Sequence, residues 1–128
     1  MADITDLGIA SIRDGFRAGD FSAREVADAF NTAVAGAKAL NAFIVETPDH
    51  AFAAAEQADR DRSEGTLKPL SGVPIGMKDL FATRGVQTTA ASHILEGFKP
   101  EYESTVSARL WAAGAGMLGK LNMDQFAM

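Results

Sequence analysis

Apolar residues recur at helical spacing near the start of the chain. Ile9, Ile12 and Phe16 share one helix face, and Gly19 follows where a helix can end. This pattern predicts a first helix that begins near Ile9 and ends near Gly19.

The start of a second helix is indicated by its local signals. Ser22 and Glu25 have capping-box spacing, and Phe21 and Val26 are placed to form a hydrophobic staple. An apolar stripe then continues along one face of the predicted helix. Its members are Val26, Ala29, Phe30, Ala33, Val34 and Ala37.

The middle of the chain predicts a strand followed by a third helix. Residues 43–45 form a short run of Phe, Ile and Val, which is typical of a strand. Thr47 and Pro48 are expected as the N-cap and the first residue of a helix that ends by Gly65. The charged run DRDR at 59–62 is expected to be the solvated end of that helix.

Two further strand patterns enclose a fourth helix. Residues 72–78 (GVPIGMK) and 115–119 (AGMLG) are the strand candidates, and Ser104 is a plausible cap for a helix between them. Val106, Leu110 and Ala113 are expected on one face of that helix. Strands that alternate with helices in this order predict an α/β fold, with a largely parallel sheet covered by helices. We expect residues 1–128 to belong to a single domain, because no internal boundary is evident.

The composition narrows the class of protein. Apolar residues make up 47% and charged residues 23% of the 128, which is ordinary for a soluble globular chain. The net charge of −5 argues against this chain itself binding a nucleic-acid backbone. The absence of cysteine excludes disulfides, thiolate metal sites and a cysteine nucleophile. The sequence has neither a signal-peptide pattern nor a run near the ~18 apolar residues of a membrane span, so we expect a cytoplasmic protein without membrane contact.

Several features that suggest ligand binding are better explained by structural roles. GAGMLGK at 114–120 matches G-x-G-x-x-G and most of a P-loop, but here a helix precedes the glycines and a strand follows them. Phosphate binding requires the reverse order, so we predict a helix stop and a tight entry into a strand. His50 and His93 lack ligand spacing and are expected to be structural. Trp111 is expected to pack.

Lys78 is the strongest candidate for chemistry. In a strand at 72–78, the face that carries Lys78 otherwise holds only Gly72, Pro74 and Gly76. A lysine that points into such a space would be partly desolvated, which favours the neutral amine of a base. The alternative is a lysine that extends into solvent at the end of a strand. Asp79 would point to the opposite face of the strand or begin a turn. No serine of the chain lies in a recognised nucleophile motif, so Lys78 has no evident nucleophile to activate within these residues.

The block LSGVPIGMKDLFATRGVQTTAAS at 70–92 resembles the first conserved block of the amidase signature family. Residues 88–128, which end in GKLNMDQFAM, are similar to the A subunits of the amidotransferases that act on glutamyl-tRNA(Gln) and aspartyl-tRNA(Asn). The resemblance covers essentially the whole chain. It implies the N-terminal part of the amidase signature fold, a mixed, mostly parallel sheet covered by helices and incomplete in this chain.

The resemblance also implies a catalytic role for Lys78. The family uses a Ser–cis-Ser–Lys triad, and Lys78 matches its lysine. The two serines belong to a Gly/Ser-rich block that would follow residue 128, so this chain alone is expected to be inactive. Because further strands of the family sheet are also expected beyond residue 128, the chain alone should expose apolar sheet surface and unpaired edges, and we expect poor stability. Phe126, Ala127 and Met128 match a segment that lines the substrate pocket through its backbone. The loop after Lys78 is expected to be supported by Thr88, Thr89 and Ser92.

For a whole A subunit the resemblance implies hydrolysis of glutamine. The ammonia would pass to a B subunit that binds tRNA, ATP and Mg²⁺, and a small C subunit would complete the heterotrimer. No metal or cofactor is expected in this chain itself. Two alternatives stay open, a free-standing amidase that hydrolyses a small amide and a non-catalytic remnant that binds a partner subunit.

Overall fold

The computed structural model describes residues 2–128, with helices and strands in the predicted order. The elements are α1 (Ile9–Ala18), α2 (Ala23–Gly36), β1 (Phe43–Glu46), α3 (Pro48–Glu64), β2 (Pro74–Lys78), α4 (Thr105–Ala112) and β3 (Gly116–Leu121). Short 3-10 turns lie at Ile4–Asp6, Lys38–Leu40, His93–Leu95 and Gln125–Ala127.

The three strands form a mixed sheet in the order β1-β3-β2. β2 is parallel to the central strand β3, whereas β1 is antiparallel to it. The parallel pair is joined by a crossover that contains α4, since two consecutive parallel strands require such a connection. Along the chain, α3, β2 and α4 lie between β1 and β3, so no single crossover connection determines the direction of β1. An α/β fold with a mixed, helix-covered sheet is therefore confirmed.

Small residues let α3 lie directly on the central strand. Gly116 begins β3 beneath α3, and a Cβ at this position would come within 3.0 Å of the Cβ of Ala54. Ala51 and Ala55 of the same helix are buried. Larger side chains at these contacts would separate helix and sheet, because packed interiors leave little free volume.

One apolar cluster joins the first three helices to one another, and a second joins α1 and α2 to the start of β2. One contains Phe16, Ala23, Ala27, Ala55 and Ala58, and the other Ile12, Val26 and Val73. Phe21 packs against both clusters, so the predicted staple with Val26 is confirmed. Both hydrogen bonds of the capping box between Ser22 and Glu25 are also present.

The charged run at 59–62 is not a solvated helix end, and that prediction is wrong. Asp59 accepts hydrogen bonds from the backbone N–H groups of Ala23 (2.9 Å) and Arg24 (3.1 Å). Arg62 donates to the carbonyl oxygens of Phe16 (2.8 Å) and Phe21 (3.1 Å). Backbone groups at the end of α1 and the start of α2 have no partners within their helices. The side chains of Asp59 and Arg62 provide hydrogen-bond partners for these groups.

The predicted start of α3 is confirmed, since Thr47 is its N-cap residue and Pro48 its first residue. The Thr47 hydroxyl makes no capping hydrogen bond and donates instead to the carbonyl of Met117 at 2.9 Å. On α4 the buried residue is Ser107, while Val106, on the face that it was expected to share with Leu110 and Ala113, is 42% exposed. Ser107 is held inward by hydrogen bonds, including one to the carbonyl of Ala82 at 3.0 Å.

The glycine-rich stretch at 114–120 has the predicted structural role. α4 ends before Gly114, whose φ of +96° allows a sharp reversal, and β3 begins at Gly116. The helix precedes the glycines, so their N–H groups do not open a helix toward a phosphate. None of the helices in residues 2–128 has both the length and the apolar character needed to cross a membrane.

Candidate active site

Lys78 is the last residue of β2 and lies beside Leu121 of β3. Its side chain is exposed at an open surface depression of about 630 Å³, which is also lined by Leu121, Asn122, Met123 and Asp124. In the part of the chain that the structure describes, no serine lines this depression. The amine is therefore accessible from the side on which a substrate or further residues could approach.

The desolvation expected for Lys78 is not provided by residues 2–128. The face of β2 that carries Lys78 is not an enclosed space, since Gly76 and Lys78 are both exposed. The side chain of Leu121 lies beside Gly76, where an added Cβ would be 2.9 Å from two of its methyl carbons. Whether Lys78 is catalytic stays a prediction that these observations do not test.

Asp79 turns the opposite way and is fully buried. Its Oδ2 accepts hydrogen bonds from the backbone N–H of Thr89 (3.0 Å) and from the hydroxyl of Thr89 (2.6 Å). Its own backbone N–H donates to the carbonyl of Leu121 at 3.2 Å, which extends the strand pairing past Lys78. The chain thus places an exposed amine and a buried carboxylate on consecutive residues.

The partner of the buried carboxylate is Lys120, which is also 0% exposed. Its Nζ lies 3.4 Å from Oδ1 of Asp79 and donates to the carbonyl of Phe81 and the hydroxyl of Thr88, each at 2.8 Å. The two hydrogen bonds use two of the three N–H donors of the ammonium, and Oδ1 of Asp79 accepts no hydrogen bond from the described residues. Burial lowers the pKa of Lys120, and the Asp79 carboxylate opposes that effect in part.

Sequence reasoning does not find this pair. Along the chain Lys120 stands out only as the lysine of a rejected P-loop match, and Asp79 only as a neighbour of Lys78. A usable signal is present, because GMLGKL at 116–121 is an apolar run with one charge in it. A lysine inside a buried strand needs an anionic or hydrogen-bonding partner, and Asp79 follows the strand that pairs with it.

The loop after Lys78 is held by the residues predicted to support it. Thr88, Thr89 and Ser92 are all buried, so this prediction is confirmed. The Ser92 hydroxyl accepts hydrogen bonds from the N–H of Ile94 (3.2 Å) and from Nε2 of Gln125 (2.8 Å). The second bond ties the loop to the last residues of the chain.

Phe126, Ala127 and Met128 lie shortly after Asp124, the last residue that lines the depression beside Lys78. The N–H of Phe126 donates to the carbonyl of Ala90 at 2.9 Å, while the Met128 side chain is 95% exposed. Positive φ values occur on both sides of this contact, at Ala90 (+50°), Ala91 (+55°), Phe126 (+52°) and Ala127 (+60°). Non-glycine residues in this conformation often mark functional sites. A role of 126–128 in substrate binding stays a prediction.

The two histidines and Trp111 lie outside this region. Nδ1 of His50 accepts the N–H of Met117 at 3.0 Å, and its ring centre lies 4.7 Å from that of Trp111. The structural roles predicted for His50 and Trp111 are therefore confirmed. Burial lowers the pKa of His50, and the charge of Glu103 partly opposes this. The side chain of His93 is fully exposed.

A family profile and similar proteins of known name all assign this chain to the same family. The family profile described as Amidase matches residues 25–128. A Rhizorhabdus wittichii protein, named as the A subunit of glutamyl-tRNA(Gln) amidotransferase, is 77% identical over all 128 residues, which correspond to 26% of that protein. Proteins of the same name in Sphingopyxis alaskensis and Zymomonas mobilis are 77% and 62% identical over the same shares of each chain. The chain spans about a quarter of the length of these curated relatives.

Solved structures show the same fold. A chain from a complex described in connection with an s-triazine catabolic enzyme is 37% identical with a TM-score of 0.86, over 94% of this chain and 27% of that one. The peptide amidase of Stenotrophomonas maltophilia is 30% identical with a TM-score of 0.86, over 94% of this chain and 26% of the amidase. With the family profile covering most of its residues, the chain belongs to the amidase family.

Proposed function

We propose that this chain is the lysine-bearing part of the glutamine-hydrolysing A subunit of a glutamyl-tRNA(Gln) amidotransferase. The observation that carries the proposal is its 77% identity, over its whole length, to proteins named as that subunit. The same chemistry also fits an enzyme that amidates both glutamyl-tRNA(Gln) and aspartyl-tRNA(Asn). The free-standing amidase receives less support, because the three relatives compared above all carry the subunit name.

In the proposed mechanism, Lys78 supplies the base. The exposed amine stands at the end of a hydrogen-bonded strand, where two serines from the rest of the protein would complete a Ser–cis-Ser–Lys triad. The lysine accepts a proton through the bridging serine, and the nucleophilic serine attacks the amide carbon of glutamine. The C–N bond then breaks as the departing amide nitrogen takes up the proton that the lysine accepted, and it leaves as ammonia. Water then hydrolyses the acyl-enzyme to glutamate. The backbone of 126–128 would contact the substrate.

The released ammonia would be used by partner subunits. A B subunit that binds tRNA, ATP and Mg²⁺ would activate the glutamyl group, and a C subunit would complete the heterotrimer in the cytoplasm. The net charge of −5 supports a division of labour in which this chain leaves the nucleic acid to its partner. No group of three or more metal-ligating side chains lies together in the described residues 2–128.

The test uses the full-length protein that contains this chain, assembled with its B and C partners. Lys78→Ala is compared with Lys99→Ala, a control at an exposed loop lysine. Two reactions are measured, hydrolysis of glutamine and amidation of Glu-tRNA(Gln) with either glutamine or ammonium as the nitrogen donor. We expect Lys78→Ala to lower kcat for glutamine hydrolysis by about 10²–10⁴-fold. Amidation with ammonium should continue, because it bypasses the triad.

Three other outcomes would decide against parts of the proposal. Full glutamine hydrolysis in Lys78→Ala would remove the catalytic role of Lys78. Hydrolysis of small amides by the wild-type protein, without any tRNA amidation by the assembly, would support the free-standing amidase. Assembly with partners but no hydrolysis of any amide would support a non-catalytic binding protein.

A further inference from the structure

The buried pair of Asp79 and Lys120 connects the two segments of the candidate site. The turn after Lys78 is fixed at both ends by β3. The N–H of Asp79 donates to the carbonyl of Leu121 at 3.2 Å, and the carbonyl of Phe81 accepts from Nζ of Lys120 at 2.8 Å. Displacing the ammonium would release the far end of this turn.

The same pair also holds the supporting loop. Lys120 donates to the hydroxyl of Thr88, while Asp79 accepts both donors of Thr89. The carbonyl of Asp79 also accepts the N–H of Ala90 at 3.0 Å. The loop is therefore bound to the residue that follows Lys78 by three hydrogen bonds and to Lys120 by a fourth.

The loop in turn holds the last residues of the chain. The carbonyl of Ala90 accepts the N–H of Phe126, and Ser92 accepts Nε2 of Gln125. Hydrogen bonds thus connect Asp79, the residue after Lys78, through the loop to the backbone of 126–128, and Lys120 binds the same turn and the same loop. Because hydrogen bonds are directional, this network defines the distance and orientation between its two ends.

Stability alone is a weak reason for this arrangement. Transferring two charges out of water is unfavourable, and well-packed apolar residues of similar volume often stabilise a fold equally well. Apolar side chains would fill the space, but they would not donate to the carbonyl of Phe81 or accept from Thr89. What the charged pair adds is fixed geometry.

We infer that Asp79 and Lys120 are positioning residues, whose buried ion pair sets the place of Lys78 relative to the substrate-binding backbone of 126–128. The inference rests on the proposed function. Its consequence is that disrupting the pair alters turnover by correctly folded enzyme, in addition to any effect on stability.

The test compares Asp79→Asn, Lys120→Met and the double variant in the full-length protein with its partners. Val26→Ala is the control for destabilisation, because Val26 is a fully buried residue of α2, in a cluster that contains neither residue of the pair. For each variant, kcat and KM for glutamine are determined per folded molecule, and the thermal midpoint is measured alongside. Lys78→Ala is included as the reference for loss of the base.

We expect each single variant to lower kcat per folded molecule by about 10²-fold, the effect of displacing a catalytic group by roughly 1 Å. KM for glutamine should rise, because the backbone of 126–128 is bound to the same network. The double variant removes both buried charges, so its thermal midpoint should recover toward wild type while kcat stays low. Val26→Ala should lower the thermal midpoint and leave kcat and KM unchanged.

A purely structural role would give a different result. If kcat recovered together with the thermal midpoint in the double variant, or if the single variants behaved like Val26→Ala, the inference would be overturned. Should the charged variants fail to fold, Thr89→Val removes only the 2.6 Å hydroxyl contact with Asp79. An unchanged kcat in that variant would then overturn the inference. Full activity in Lys78→Ala, by contrast, would reject the catalytic role of Lys78 in the proposed function, on which the inference rests.

Discussion

Two regions of this chain are held together by different interactions. The helical region, α1 to α3 at 9–64, is built on small apolar side chains that bring helices close together. The strand-end region, 78–92 with 116–128, is built on buried polar groups. Of the nine buried polar side chains in residues 2–128, six belong to the strand-end region, and they are Asp79, Thr83, Thr88, Thr89, Ser92 and Lys120.

The difference determines how each region responds to change. Apolar packing is non-directional, so a lost methyl group lowers stability in proportion to the contact that it made. A buried charge is different, because removing its partner leaves a group that neither water nor protein satisfies. The strand-end region therefore gains fixed geometry at the expense of tolerance, and it is the region that carries Lys78.

The largest effect should follow from removing the buried cation. Lys120→Met leaves the Asp79 carboxylate buried without its counter-ion and removes the donor to Phe81 and Thr88. We expect the free energy of unfolding to fall by about 3–5 kcal/mol. Denaturant unfolding of the full-length protein measures this, with the exposed Lys99→Met as the control, expected within about 0.5 kcal/mol of wild type. Equal values for the two variants would show that the two regions do not differ as described.

A smaller effect is expected at Asp59, which makes one of the polar contacts of the helical region. Asp59→Ala removes the acceptor for the N–H groups of Ala23 and Arg24 at the start of α2. We expect a loss of about 1 kcal/mol, as for other helix caps, and a smaller loss for Asp59→Asn, which keeps one acceptor oxygen. The measurement is again denaturant unfolding.

Asp28→Ala is the matched control for Asp59→Ala. Asp28 makes only an exposed ion pair with Arg24, with 3.5 Å between Nε and Oδ2. Exposed pairs of this kind contribute about 0–1 kcal/mol, so a change smaller than that of Asp59→Ala is expected. If Asp28→Ala were the more harmful change, the contact of Asp59 with the helix start would have no energetic importance.

The helical region is also the more predictable of the two. Periodicity, the capping box and the stop at Gly19 identify α1 and α2, because these signals are local in sequence. The prediction for the run at 59–62 fails because its partners lie on α1 and α2, about 35 to 46 residues earlier in the chain. Local patterns contain no information about such contacts.

The strand-end region shows the same limit at the candidate site. The strand that carries Lys78 is predictable, and so is the supporting role of Thr88 and Thr89. The ion pair is not, because Asp79 and Lys120 meet only after β2 has paired with β3. The antiparallel direction of β1 escapes prediction for a similar reason, since it depends on a pairing that no consecutive crossover determines.

The smallest expected effect lies where the two regions join, at His50. This residue belongs to α3, and its Nδ1 accepts the N–H of Met117 in the central strand. Burial places its folded pKa below the ordinary value of 6.5, so the unfolded chain binds more protons between those two values. The contribution of His50 to stability is therefore complete above pH 6.5, and it declines as the pH falls through the folded pKa.

Thermal unfolding of the full-length protein across this pH range, in wild type and in His50→Gln, isolates the contribution. A glutamine oxygen can still accept the N–H of Met117 but does not titrate, so His50→Gln should lose less stability than wild type on acidification. His93→Gln is the matched control, because the side chain of His93 is fully exposed, and it should follow wild type. If His50→Gln and wild type lost stability in parallel, protonation of His50 would not weaken the contact between α3 and β3. The acid sensitivity of the junction would then have to come from carboxylates.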